Sequence, residues 1–142
     1  MTRGRADRER VRRHLLALAA ALRNLDRHAG ASAAALHADV DLRWTVERGL
    51  QLCAQNALDI ATHLAAAAGL DAPDYASAID RLVELEVLPA DFAGRFRNVA
   101  GFRDVLVHGY LEVDLGLLAR VLSEQRKDFS EFARHVERYL ER

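Results

Sequence analysis

From Gly101 to Tyr110 the chain reads Gly-Phe-Arg-Asp-Val-Leu-Val-His-Gly-Tyr, which sets a guanidinium (Arg103), a carboxylate (Asp104), an imidazole (His108) and a phenol (Tyr110) close together. Arginine stays cationic and presents a planar fork of N–H donors that fits phosphate oxygens, whereas histidine titrates near neutrality and can take or give a proton. The pair suits phosphodiester cleavage in RNA. There the ribose 2′-hydroxyl must lose a proton, the phosphate gains negative charge, and the leaving oxygen needs a proton. No step requires a metal ion or a cofactor. DNA lacks the internal nucleophile, so such a site would select RNA by its 2′-hydroxyl.

Successive residues of an α-helix turn by about 100°, so Asp104 and His108 lie about 40° apart and can touch, which gives Asp104 a supporting role. Arg103 and Tyr110 come within about 20° of each other on a neighbouring strip. Arg103 and His108 are about 140° apart, too far round to meet unless the arginine reaches across or the helix ends at Gly109. A two-fold homodimer would remove the difficulty, because an isologous interface gathers two Arg and two His around one cleft.

The elements that must position these residues read as helices. Only Pro73 and Pro89 interrupt the sequence, alanine recurs throughout, and no hairpin signal of the Asn-Gly or Asp-Gly kind occurs. A first helix is expected from about Asp7 to Leu25, with Val11, Leu15, Leu18 and Leu22 on its apolar side. After a looser stretch at Gly30 to Ser32, a long helix should start at Asp39 or Asp41 and stop at Gly69. Asp74 is the expected cap of a shorter helix. Pro89 opens a further helix whose buried side is Phe92, Phe96, Val99 and Phe102, and that same helix should carry the Arg103 group. Val113 to Gly116 breaks the pattern before a last helical region that runs to Leu140. The expected fold is all-α, an up-and-down bundle of four or five helices.

A chain of 142 residues suits one domain, 1–142. Its 51% hydrophobic and 29% charged content is that of a globular protein, and no stretch approaches the roughly 18 to 20 uncharged apolar residues of a membrane helix. With no cleavage pattern of a secreted protein at its start, a cytoplasmic location is expected. Cys53 has no second thiol to pair with and reads as packing. The net charge of −1 excludes a globally basic nucleic-acid binder but not a local phosphate grip. Arg3, Arg5, Arg8, Arg10, Arg12 and Arg13 outweigh Asp7 and Glu9 near the start, a run that reads as a solvated helix face before it reads as an RNA contact. Asp59 and His63 are four residues apart on the long helix, but without an evident third ligand they read as an exposed polar pair, and no metal site is assigned. Glu47, Arg48 and Gln51 stand either toward a partner subunit, positioning Arg103 or His108, or in solvent.

The segment Phe102 to Leu111 resembles the signature of HepT-type toxins of the HEPN superfamily: Arg, four residues, His, one residue, Tyr. Arg103, His108 and Tyr110 match it, and the segment Val46 to Gln55 and the turn Pro73 to Tyr75 also look like that family, so the resemblance spans roughly residues 40 to 114. It implies a dimeric HEPN-like bundle acting as a metal-independent endoribonuclease on RNA such as tRNA or mRNA, with Arg103 and His108 catalytic at the cleft between subunits. It also implies a partner, a small nucleotidyltransferase antitoxin of the MNT type, which in some systems transfers AMP onto the motif tyrosine, here Tyr110. The family often has Asn after the arginine, whereas this chain has Asp104, which adds negative charge near the phosphate site. Two other readings use the same residues: a non-catalytic HEPN module binding nucleotide or a partner nucleotidyltransferase, and a purely structural helical protein that would barely notice replacement of His108.

Overall fold

Apolar residues recurring at three and four residue steps fold as helix, and among the described residues there is no strand. The computed structural model describes residues 2–109 and 113–142, with the side chains of all of these but 2, 3 and 6; Tyr110 and Leu111 therefore lie outside the described residues. Helix α1 spans Thr2–Asp26 and so begins earlier than Asp7. The looser stretch that follows holds a short helix, α2 (Ala33–Ala38), because the Ser32 hydroxyl accepts the Ala35 N–H at 3.1 Å. Asp39 then acts twice: its N–H donates to the Ala35 carbonyl, ending α2, and its carboxylate accepts the Leu42 N–H at 3.1 Å, starting α3 (Val40–Ala67).

Gly69 stops α3 as expected. At φ +74° it takes the left-handed conformation, and the chain wraps back so that Leu70 N–H reaches the Ala65 carbonyl (2.9 Å) and Gly69 N–H the Ala66 carbonyl (3.0 Å). Asp74 caps α4 (Tyr75–Glu84) through the Ser77 N–H at 2.7 Å; hydrogen bonds from the Ser77 side chain and backbone hold its carboxyl below the usual carboxylate range. The helix expected from Pro89 through the Arg103 group is in fact two, α5 (Ala90–Phe96) and α6 (Val99–His108). Arg97 and Asn98 tighten into bonds of three-residue reach, Asn98 N–H to Arg95 O and Ala100 N–H to Arg97 O, and this breaks the regular ladder while keeping Phe92, Phe96, Val99 and Phe102 all buried. Gly116 is likewise no breaker: Asp114 caps α7 (Leu115–Arg120) by accepting the Leu117 N–H, so glycine falls inside it. A wider π turn, Val121–Gln125, joins α7 to α8 (Arg126–Leu140).

The expected all-α bundle is the observed one, built from α1, α3, α4, the broken rod α5–α6 and the rod α7–α8, with α2 as a short addition. Helices α1 and α3 run antiparallel, since Asp7 faces His63, His14 bonds Asn56 at 2.8 Å, and Leu25 meets Gly49. Helix α8 is antiparallel to α1, tied by Arg8 to the Leu140 carbonyl at 2.8 Å and by Arg126 to Asp26. Phe92 and Phe96 of α5 pack on α8, with Phe96 stacked on Phe132 at 4.8 Å and edge-on to Phe129 at 5.7 Å. No helix among the described residues is long and apolar enough to cross a membrane.

Gly49 lets α1 pack tightly on α3: a Cβ there would lie 2.6 Å from Leu25 Cδ2 and 2.9 Å from its Cγ, and Leu25 is itself buried. Gly49→Val should therefore lower stability by about 1–3 kcal/mol through overpacking. Urea unfolding checks this; an unchanged midpoint would mean that the two helices separate at no cost.

Candidate active site

Helix α6 is anchored through Val99 and Phe102, which point into the core, and the next residue, Arg103, emerges at the seam where α3 and α4 meet α6. Its side chain is 21% exposed. The Nε–H donates to Gln55 Oε1 at 2.8 Å, an Nη1–H donates to Asp104 Oδ1 at 3.0 Å, and the guanidinium carbon lies 5.3 Å from the centre of the Tyr75 ring. Gln55 is fully engaged as well, its amide nitrogen donating to Asp59 Oδ1 at 2.8 Å and to the Tyr75 hydroxyl oxygen at 3.2 Å. Those two bonds fix which way the amide faces, since a flipped amide would turn N–H donors toward the guanidinium, which has only donors to offer.

Asp104 was expected to support His108, and the structure engages its carboxylate with Arg103 one residue back. With the Asp104 side chain 60% exposed, that ion pair is largely screened by water and contributes little, on the order of 0–1 kcal/mol for pairs of this kind. His108 is the last residue of α6 and is exposed. After it, Gly109 donates its N–H to the Val105 carbonyl at 2.8 Å, and a Cβ at this position would lie 2.5 Å from that same oxygen. Backbone cannot swing aside as a side chain can, so glycine is what lets the chain leave the helix there. Tyr110 follows outside the described residues.

Sequence reasoning stopped one helical turn short on α3. The sequence points to Glu47, Arg48 and Gln51, whereas the α3 residue that bonds Arg103 is Gln55, four positions beyond Gln51. Glu47 is partly buried, and burial raises its carboxyl above the usual range against the opposing pull of Arg43. Asp59 and His63 do not act as a pair, because Asp59 accepts from Gln55 while His63 faces Asp7 of α1 at 3.5 Å. The polar spacing of Gln55 and Asp59, four apart, is the available chemical signal, while Gln55 and Tyr75 are otherwise marked only by the family resemblance of their segments. In the arginine-rich start, Arg13 pairs with Glu9 at 3.5 Å in solvent and Arg8 is committed to the end of α8.

Comparison with known proteins gives one consistent answer. Residues 18–136 match the family described as Ribonuclease HepT-like. The chain is similar to the mRNA nuclease HepT of Shewanella oneidensis, 25% identical over 95 residues that cover 66% of this chain and 71% of that protein. It superposes on a toxin–antitoxin crystal structure with AMP-PNP at a TM-score of 0.79, with 18% identity over 90% of this chain and 97% of the other. It superposes also on the tri-AMPylated HEPN toxin of Shewanella oneidensis in complex with the MNT antitoxin, at a TM-score of 0.78 and 18% identity over 90% and 96% of the two chains. At such identities the superpositions establish the fold.

Cys53 sits on α3 two residues before Gln55 yet is fully buried, and burial, with Asp26 adding to it, pushes its thiol up to about 12. The folded protein thus keeps the neutral thiol, a preference fully present below the ordinary thiol pKa and lost as pH rises through about 12. Ellman's reagent at pH 8 should find no reactive thiol in the native protein and one per chain after unfolding; rapid native reaction would place Cys53 at the surface.

Proposed function

The chain belongs to the HepT-like ribonuclease family, and from that membership we propose that it is the toxin of a toxin–antitoxin pair, a metal-independent endoribonuclease in which Arg103 grips phosphate and His108 moves protons. In this reaction the 2′-oxygen, relieved of its proton, attacks phosphorus; the bond to the 5′-oxygen breaks, and that oxygen takes up a proton. The products are a 2′,3′-cyclic phosphate and a 5′-hydroxyl. His108 serves as the acid/base, and Arg103 offsets the charge that builds on the phosphate oxygens.

The observation that carries this reading is the state of Arg103. A cation partly withdrawn from water is held by the neutral carbonyl oxygen of Gln55, and its remaining anionic neighbour, Asp104, sits in solvent where a phosphate can displace it. The relative from Shewanella oneidensis is named an mRNA nuclease, which supports RNA as substrate. We place the whole of residues 1–142 in one helical domain acting in the cytoplasm.

The homodimer belongs to the same proposal. On α6 the exposed Val105 (41%) precedes His108 by three residues, so an apolar side chain shares the imidazole's face. A second copy packed on that face by a two-fold axis brings its own Arg103 toward the first copy's His108. The partner in the cell is a nucleotidyltransferase of the MNT type, as in the solved complexes. Transfer of AMP to the Tyr110 hydroxyl adds a phosphodiester anion two residues from His108, in competition with RNA phosphate for Arg103.

Incubation of a structured RNA with the purified protein in the presence of a chelator tests the core of this. The wild type is expected to leave fragments ending in cyclic phosphate, with His108→Ala and Arg103→Ala each reducing the rate by about a hundredfold or more while remaining folded. Equal cutting by all three, or none by the unmodified dimer, would leave a nucleotide- or partner-binding module as the better reading.

A further inference from the structure

Arg103 reaches its position through three side chains from two other helices, and their arrangement has a chemical logic. The guanidinium has a side edge, which includes Nε–H, and an end edge formed by Nη1 and Nη2. Gln55 takes the side edge, leaving the end edge for an incoming anion. Had residue 55 been a carboxylate, the bond would also have formed, but the cation would have been neutralised on its protected side. The amide fixes geometry and leaves charge. The negative charge is placed one step back, on Asp59, where its contact is with the Gln55 amide nitrogen. Tyr75 contributes twice, its ring lying under the guanidinium and its hydroxyl accepting the second amide N–H.

We propose that Gln55, oriented by Asp59 and the Tyr75 hydroxyl, is a positioning residue that holds the Arg103 guanidinium end-on to an RNA phosphate. This rests on the ribonuclease reading and adds to it residues outside the Arg-His-Tyr motif. The approach of the phosphate follows from it: Nη1 and Nη2 meet two phosphate oxygens, and the exposed Asp104 carboxylate gives up Nη1 as they arrive.

A double-mutant cycle on the full chain separates positioning from support of the fold. Affinity for an uncleavable oligonucleotide, methylated at every 2′-oxygen, is measured for the wild type, Gln55→Met, Arg103→Ala and the double variant, after thermal melts establish that each is folded. Methionine keeps the volume of glutamine and removes its hydrogen bonds. With Arg103 present, Gln55→Met is expected to weaken binding about fivefold or more, as residues of one hydrogen-bond network do, and with Arg103 absent less than about twofold. Gln55→Glu, which keeps the acceptor but cancels the cation, should weaken binding as well. In a nitrogen-15 spectrum of the arginine side chains, the slowly exchanging Arg103 Nε–H should be lost in Gln55→Met. An equal loss of affinity on both backgrounds would overturn the proposal, as would an unaffected affinity or an Nε–H signal that persists in Gln55→Met. A wild type that cuts RNA but fails these tests defeats the positioning role alone, and a wild type that binds no oligonucleotide defeats it together with the ribonuclease reading.

Discussion

Everything at the candidate site depends on how α3 is buried. Its apolar surface, from Val46 and Leu50 through Cys53, Ala57, Ile60 and Leu64, is wider than one neighbour can cover, and α1, α4 and α6 all pack on it. Small residues govern the approach: Gly49 admits Leu25 of α1, while Ala54, Ala57, Ala61 and Ala65 keep the buried surface low. Gln55 and Asp59 sit at the edge of this apolar surface, where α4 and α6 close over it, and so meet Tyr75 and Arg103 only in one register. A shift of α3 by a single residue would rotate that edge by about 100° and leave Arg103 without its acceptor.

Much of this was legible in the sequence because it is local. The caps at Asp39 and Asp74, the glycine stop at Gly69 and the apolar stripes of α1, α3 and α8 each follow from spacing within a few residues. What escaped leaves no mark in apolar spacing or residue type. The split between α5 and α6 leaves the apolar spacing intact, because two tight turns at Arg97 and Asn98 are compatible with burial of Phe96 and Val99 on either side. The end of α4 is another case: Glu86 takes φ +59° where glycine would be the signal, and it is held there by Val87 N–H to the Leu82 carbonyl.

The site itself divides along the same line. Arg103 and His108 stand out as residue types, and an i,i+4 argument from Asp104 overlooks the reach of the adjacent arginine, which donates to its carboxylate. Gln55 could not be picked from its neighbours by chemistry alone. An amide has no charge to attract notice, and its role exists only once Asp59 and Tyr75 have used both of its N–H groups.

Helix α6 thus carries the two residues of the proposed chemistry at different places along its length. Arg103 lies in its middle, clamped from three sides, as suits a group that must meet a growing charge without first reorganising. His108 is the last residue of the helix, and Gly109 turns the chain out of it there. In the proposed reaction a proton carrier has to serve two different oxygens, the nucleophile and the leaving group. In that reaction the charge to be offset and the proton to be moved therefore fall at different places on one helix, with arginine inside it and histidine at its end.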